Sequence, residues 1–183
     1  MKLGLTGKPP ERINIVLIGM PSAGKSTIGG KVAAKLGREL FDCDKEAALR
    51  AGMPIPEIFR RYGEAEFRKI EAEVCKDLSK EQGKVIATGG GVVESEENMI
   101  NLSQNGLVVY LETPLELLTP SESRPLSADM DKLRALYVRR KHIYERYADI
   151  SIDNSRGQDA SVADIIKILQ DSCDIVQGKD REI

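Results

Sequence analysis

Gly19-Met20-Pro21-Ser22-Ala23-Gly24-Lys25-Ser26-Thr27, preceded by the apolar run Ile13-Asn14-Ile15-Val16-Leu17-Ile18, decides how this chain is read. Glycines at the first and sixth positions followed by Lys and Ser match the P-loop, in which backbone N–H groups wrap a chain of phosphates. The flanks agree with the motif. A β-branched run of strand length leads in, and Ile28, Val32, Ala33 and Leu36 then recur at helical spacing. The loop therefore opens a helix whose N-terminal dipole favours anions. In that arrangement Ser22, Ala23, Gly24, Lys25, Ser26 and Thr27 hold a nucleoside triphosphate, with Lys25 reaching the terminal phosphates and Ser26 a ligand of Mg²⁺.

Outside the loop, bulk composition limits the alternatives. A chain of 183 residues suits a single α/β domain with a full core. Lys plus Arg number 27 against 29 Asp plus Glu, a formal charge of −2, so no global basic field recruits nucleic acid or an anionic membrane. Any anionic ligand must be held locally. Five Tyr, three Phe and no Trp leave no broad stacking platform for single strands. Cys43, Cys75 and Cys173 are widely spaced, odd in number and outside any zinc pattern, and they read as reduced thiols of a cytosolic protein. No apolar run reaches the length of a membrane span, and residues 1–11 lack the apolar core of a signal peptide. A cytoplasmic monomer is expected.

Along the chain, residues 1–12 read as a flexible leader, 13–172 as one kinase domain and 173–183 as a polar tail. Glu39 to Phe41 reads as a second strand that runs on into Asp42-Cys43-Asp44. Helical spacing follows over 45–50, over a short stretch carrying Ile58, Phe59 and Tyr62 that stops at Gly63, and over 64–78. Lys84 to Thr88 is a buried strand followed by Gly89-Gly90-Gly91, whose lack of side chains permits close approach to a ligand. A polar helix over 94–102, a strand over 107–111 and a short helix over 112–118 lead to a polar loop over 119–128. A basic helix over 131–147, a strand over 150–152 and an amphipathic helix over 162–169 complete the chain. Five strands alternating with helices predict a three-layer αβα fold around a parallel sheet.

A small kinase must hold MgATP, orient an acceptor hydroxyl in line, neutralise charge on the transferred phosphoryl and exclude water. Asp42 and Asp44, read as alternating along an extended segment, point to opposite sides; one serves Mg²⁺ through water and the other meets the acceptor hydroxyl. Arg68 and Arg140 lie on separate helices and offer planar forks suited to a carboxylate. Arg124, beside Pro125 in the polar loop, is placed to meet phosphate charge. His142 reads as a helix-surface residue rather than a base.

These residues together resemble the shikimate kinase family. The resemblance is carried by the P-loop, Phe41-Asp42-Cys43-Asp44, Phe67-Arg68-Lys69-Ile70-Glu71, Gly89-Gly90-Gly91, Arg124-Pro125-Leu126, and Arg140 to Tyr144 with Ala148-Asp149, in family order over about residues 13 to 170. It implies a nucleoside-monophosphate-kinase-like core, a small substrate-binding helical region near 44–78 and a lid near 118–128. It also implies transfer of the ATP γ-phosphoryl to the 3-hydroxyl of shikimate, on the route to chorismate and aromatic amino acids. By position, Asp44 contacts the acceptor hydroxyls, Arg68 and Arg140 its carboxylate, and Gly90 with Gly89 and Gly91 the ring hydroxyls. Asp42 and Ser26 serve Mg²⁺, and Arg124 the phosphates; Lys25, Asp44 and Arg124 form the catalytic set.

The chain also departs from the family pattern. Leu117-Leu118-Thr119-Pro120 stands where many members place an early-lid Arg against adenine, Ser127 follows Arg-Pro-Leu, and His142 replaces a common Pro. Adenine contact then falls to another residue, with Arg156 or Gln158 the candidates beside the plain reading of that loop as a solvated turn. Competing readings are a kinase for gluconate or a nucleoside monophosphate, and a P-loop module that binds ATP without turnover. The triple glycine with Arg68 and Arg140 favours a small carboxylated polyol over a nucleotide. Joint retention of Lys25, Ser26, Asp42, Asp44 and Arg124 weighs against the latter.

Overall fold

Every residue of the first strand is buried, so its alternation divides the protein into two cores. The computed structural model describes residues 9–121 and 125–178. In β1 (Asn14–Ile18), Ile15 and Leu17 face α1 (Lys25–Leu36) and α6 (Gln158–Gly178), joining Ile28, Val32, Val162 and Ile165. Val16 and Ile18 face the other way. They pack with α2 (Cys43–Ala51), α3 (Ile55–Leu78), α4 (Glu96–Gln104) and α5 (Met130–Tyr147) through Ala47, Ile58, Phe67, Met99, Leu133 and Tyr144. A strand apolar on both faces belongs in the middle of a parallel sheet covered by helices, which is the three-layer αβα arrangement.

The remaining strands are β2 (Leu40–Asp42), β3 (Val85–Ala87), β4 (Gly106–Glu112) and β5 (Ile150–Asp153), and the sheet order is β2-β3-β1-β4-β5. All four pairings are parallel, with Leu17 opposite Ala87 on one side and Val109 on the other. The order reverses beside β1, so the loop leaving its carboxyl end opens into a crevice between neighbouring crossovers, where ligands of such sheets bind.

Several boundaries differ from the sequence reading, each for a local reason. Asp42 does not lie on an extended run with Asp44; it caps α2, accepting from the backbone N–H of Asp44 at 3.0 Å and of Lys45 at 3.3 Å. Asp44 therefore sits in the first turn of a helix, where both the cap and the acidic side chain suit the N-terminal dipole. The last helix reaches Gly178, well beyond 162–169, so the expected tail from 173 begins inside it. At the other end, Pro10–Arg12 forms a 3₁₀ turn rather than a free leader, and the Gly83 N–H donates to Arg12 O at 3.0 Å. Between 112 and 118 only Leu115–Leu117 is helical, as one 3₁₀ turn. Gly63 interrupts α3 with φ 79° and ψ 175°, dividing it where the sequence reading ends its short helix. Among the described residues, no helix is long and apolar enough to cross a membrane.

Candidate active site

The P-loop adopts backbone that few sequences tolerate. Gly19, Ser22 and Gly24 have φ of 149°, 67° and 83°. Ser22 is the one non-glycine residue at positive φ among the described residues, a conformation that costs about 1–3 kcal/mol and is held by its surroundings. Its Oγ donates to Thr119 O at 2.6 Å, tying the loop to the base of the 118–128 segment. Gly24, the N-cap of α1, supplies no side-chain cap, and no acidic residue occupies that first turn. The helices α2, α4 and α5 differ: Asp42, Ser95 and Asp129 cap them, and each carries acid in its first turn. Only α1 of these four is left suited to an external anion. Lys25 is 8% exposed, and its ammonium donates to Gly19 O at 2.9 Å and Met20 O at 2.8 Å. An anion arriving at the loop would compete with these two carbonyls for it.

A cleft of about 710 Å³ runs from the loop toward α3 and α5. It is lined by Ser22, Gly24, Lys25, Ser26, Thr27, Asp42, Asp44, Arg68, Gly89, Gly90, Gly91 and Arg140, which brings nearly all the residues singled out in the sequence to one surface. Two are not brought there. The Ala23 side chain is 3% exposed in the core and its N–H donates to Met20 O at 3.2 Å, so this residue closes the loop's own turn. Arg124 lies outside the described residues. The Ser121 N–H donates to Ser127 O at 3.0 Å across the neck of its loop. Ser26 Oγ hydrogen-bonds Asp42 Oδ2, so the two oxygens expected to serve a metal are adjacent although 16 residues separate them.

The triple glycine makes room for the site's own side chains rather than for a ligand alone. A Cβ on Gly89 would sit 2.7 Å from Asp44 Oδ1 and 2.8 Å from Glu71 Oε1. On Gly90 it would meet Pro21 at 2.8 Å, and on Gly91 the Arg68 guanidinium at 2.5 Å. The backbone after β3 is thus the plane on which the P-loop, α2 and α3 converge. Tyr144 fixes it from the far side, donating to Gly90 O at 2.5 Å while its ring stacks on Tyr110.

Arg68 and Arg140 reach the cleft already engaged. Arg68 donates to Glu71 Oε2 at 2.7 Å and to Glu64 Oε1 at 3.0 Å; burial works against its charge, but Glu71 and Glu64 outweigh it and its pKa rises. Burial pushes the Glu71 carboxyl above the usual carboxylate range, against the pull of Arg68. Glu71 is 2% exposed and its Oε1 has no partner among the described residues. Arg140 is 1% exposed; its Nη2 donates to Glu94 Oε2 at 2.5 Å, and its Nε has no partner among the described residues. Two unmatched buried polar atoms, one donor and one acceptor, on side chains lining one cleft call for a polar ligand. Cys43 and Cys75 are buried free thiols behind this wall, and their mutual hydrogen bond and burial hold Cys43 well above the ordinary thiol range, so it stays protonated and is no nucleophile.

One structural residue escaped the sequence reading. Asn154 Nδ2 donates to Ala23 O and to Thr113 Oγ1, both at 2.9 Å, while its Oδ1 accepts from Ser161 Oγ at 2.7 Å. It ties the P-loop to the ends of β4 and β5 and the start of α6. Asn154→Ala is expected to lower stability by about 1–3 kcal/mol, since three buried groups lose a partner, and to raise KM for MgATP more than for the acceptor. Urea unfolding and steady-state kinetics check both; an unchanged KM for MgATP contradicts the link to the loop.

The shikimate kinase family model matches residues 21–170. A shikimate kinase of Thiobacillus denitrificans is 39% identical over 176 residues, covering 92% of this chain and 94% of its own.

The chain belongs to the shikimate kinase family.

Solved structures agree in fold. A shikimate kinase from Acinetobacter baumannii in complex with shikimate superposes with a TM-score of 0.79 at 34% identity, covering 95% of this chain and 100% of its own. That from Aquifex aeolicus gives 0.76 at 36% identity, with 86% and 96% covered. As a shikimate kinase family member the chain is an ATP-dependent kinase. Of the two adenine candidates named for its missing early-lid Arg, Arg156 is engaged by Asp164, whereas Gln158 lines the cleft and its Nε2 lies 3.2 Å from where a Gly24 Cβ would stand.

Proposed function

We propose that this shikimate kinase family member transfers the γ-phosphoryl of MgATP to the 3-hydroxyl of shikimate, giving shikimate 3-phosphate and ADP, and that Arg68 and Arg140 hold the acceptor's carboxylate. One observation carries the assignment. Arg140, 1% exposed with an unmatched Nε, shares the P-loop's cleft with Arg68 from another helix, and such a pair of guanidinium groups suits a planar anion.

The division of labour follows from position. The first-turn amides of α1 and the Lys25 ammonium take the β- and γ-phosphates, while Arg124 in the 118–128 lid meets the charge on the transferred group. Ser26 and Asp42 offer adjacent hydroxyl and carboxylate oxygens, a hard donor pair of the kind Mg²⁺ accepts while keeping waters and phosphate oxygens. The ion, when bound, neutralises charge on the phosphoryl oxygens. Asp44 accepts the acceptor's hydroxyl proton late, as the oxygen–phosphorus bond forms. Its Cα is fixed by the Asp42 cap, so the carboxylate presents from a helix rather than a loop. Shikimate and ATP are its small-molecule partners, and a cytoplasmic location suits that supply.

Arg68→Ala is expected to raise KM for shikimate about ten- to hundredfold, the value of one or two charge-assisted hydrogen bonds, with KM for MgATP little changed. A rise confined to MgATP contradicts the assignment.

A further inference from the structure

Glu94 sits where the two arginines converge. It ends the 3₁₀ turn Val92–Glu94 that follows the triple glycine. Its Oε2 accepts from Arg140 Nη2 at 2.5 Å and stands 3.9 Å from Arg68 Nη2. Its Oε1 meets Arg139 Nη2 at 2.7 Å. One carboxylate of the chain thus lies between the guanidinium groups assigned to the acceptor's carboxylate, hydrogen-bonded to Arg140 and within ion-pair distance of Arg68.

We infer that Glu94 is an internal competitor for the acceptor's carboxylate: it holds the edge of Arg140 that the acceptor requires, and binding exchanges one carboxylate for the other. This rests on the assignment of Arg68 and Arg140 given above. The exchange leaves neither side stranded. Arg140, with a side chain 2% exposed, needs an anion at all times, because a buried charge without a partner is strongly destabilising. Glu94 keeps Arg139, whose side chain is 58% exposed and can follow it outward. Only a ligand with its own negative charge replaces what Arg140 gives up. Neutral analogues must bind with Glu94 still in place, so the residue sets specificity for a carboxylated acceptor while lowering its apparent affinity.

The test is steady-state kinetics of wild type and Glu94→Gln with two acceptors, shikimate and its neutral methyl ester. Glu94→Gln keeps the shape and removes the competing charge. KM for shikimate is expected to fall about three- to tenfold, the factor for a site held by Glu94 most of the time, with the change in KM rather than in kcat. KM for the ester is expected to stay unchanged, so discrimination for the carboxylate rises; a merely structural role would move both acceptors together. Where Glu94→Gln folds poorly, Glu94→Asp, one methylene shorter, is expected to shift the same ratio in the same direction. An unchanged or raised KM for shikimate, with Arg68→Ala still raising it, overturns the competition alone. If Arg68→Ala also leaves KM unchanged, the carboxylate assignment falls and the competition with it.

Discussion

Lys25→Ala is expected to lower kcat at least about 10³-fold, more than the loss of a single neutral oxyanion donor, because a full charge is lost from the group proposed to meet the transferred phosphoryl. The same ammonium braces the loop through Gly19 O and Met20 O, so some stability goes with it. These carbonyls belong to a short turn at the cleft, and the melting midpoint is expected to fall by no more than about 6 °C. Far-ultraviolet circular dichroism should remain that of the wild type. Near-normal turnover in this variant would mean that the phosphates are not bound where the loop, the uncapped start of α1 and the lysine coincide.

Asp44→Asn is expected to lower kcat by about 10² to 10⁴-fold, the range of general base catalysis, with a smaller change in KM for shikimate. The substitution keeps size and leaves the helix cap intact, since Asp42 bonds the backbone of Asp44 and Lys45 and not the side chain. Loss of rate therefore reports the missing proton acceptor. Gly89 places the Asp44 and Glu71 oxygens around one point in space, and the amide of Asn relieves whatever repulsion Glu71 exerts there, so stability is expected to hold or rise slightly. An unchanged kcat would remove Asp44 from the acceptor hydroxyl.

Much of this site was legible in the sequence because its parts obey local rules. The P-loop declares itself through spacing within nine residues, and the buried β1 through an unbroken apolar run. Gly63 announces the break in α3 because its backbone there lies at positive φ. Asp42-Cys43-Asp44 was misread as extended since strand pattern and helix cap overlap on the same three residues; the Asp cap decided it in favour of a helix. The longer α6 was hidden by Asp171, Ser172 and Asp174, which interrupt its C-terminal turns although Cys173 and Val176 continue the spacing of Val162, Ile165 and Leu169. What sequence could not offer was pairing across distance. Glu94 meets Arg140 over a separation of 46 residues, Asn154 meets Ala23 over 131, and Ser22 meets Thr119 over 97. None of these pairings belongs to a motif, and only packing of β3, β1, β4 and β5 side by side brings them together.

The triple glycine does something other in the fold than its residue types alone imply. As sequence, three small residues after a strand imply closeness to a ligand. In the fold, each glycine clears a different protein group: Asp44 and Glu71, then Pro21, then Arg68. The ligand's surroundings are set by these side chains, and the glycines allow them to meet.

Transfer of phosphoryl from this P-loop to shikimate is read out by ADP release with MgATP. Shikimate is to be compared with gluconate, AMP and CMP as acceptors, with Lys25→Ala as the control. ADP formation is expected to depend on shikimate alone and to vanish in the variant. Turnover with gluconate or a nucleoside monophosphate and not with shikimate would contradict this, leaving the P-loop standing, and turnover with a nucleoside monophosphate, which has no carboxylate, would also remove Arg68 and Arg140 from the carboxylate role.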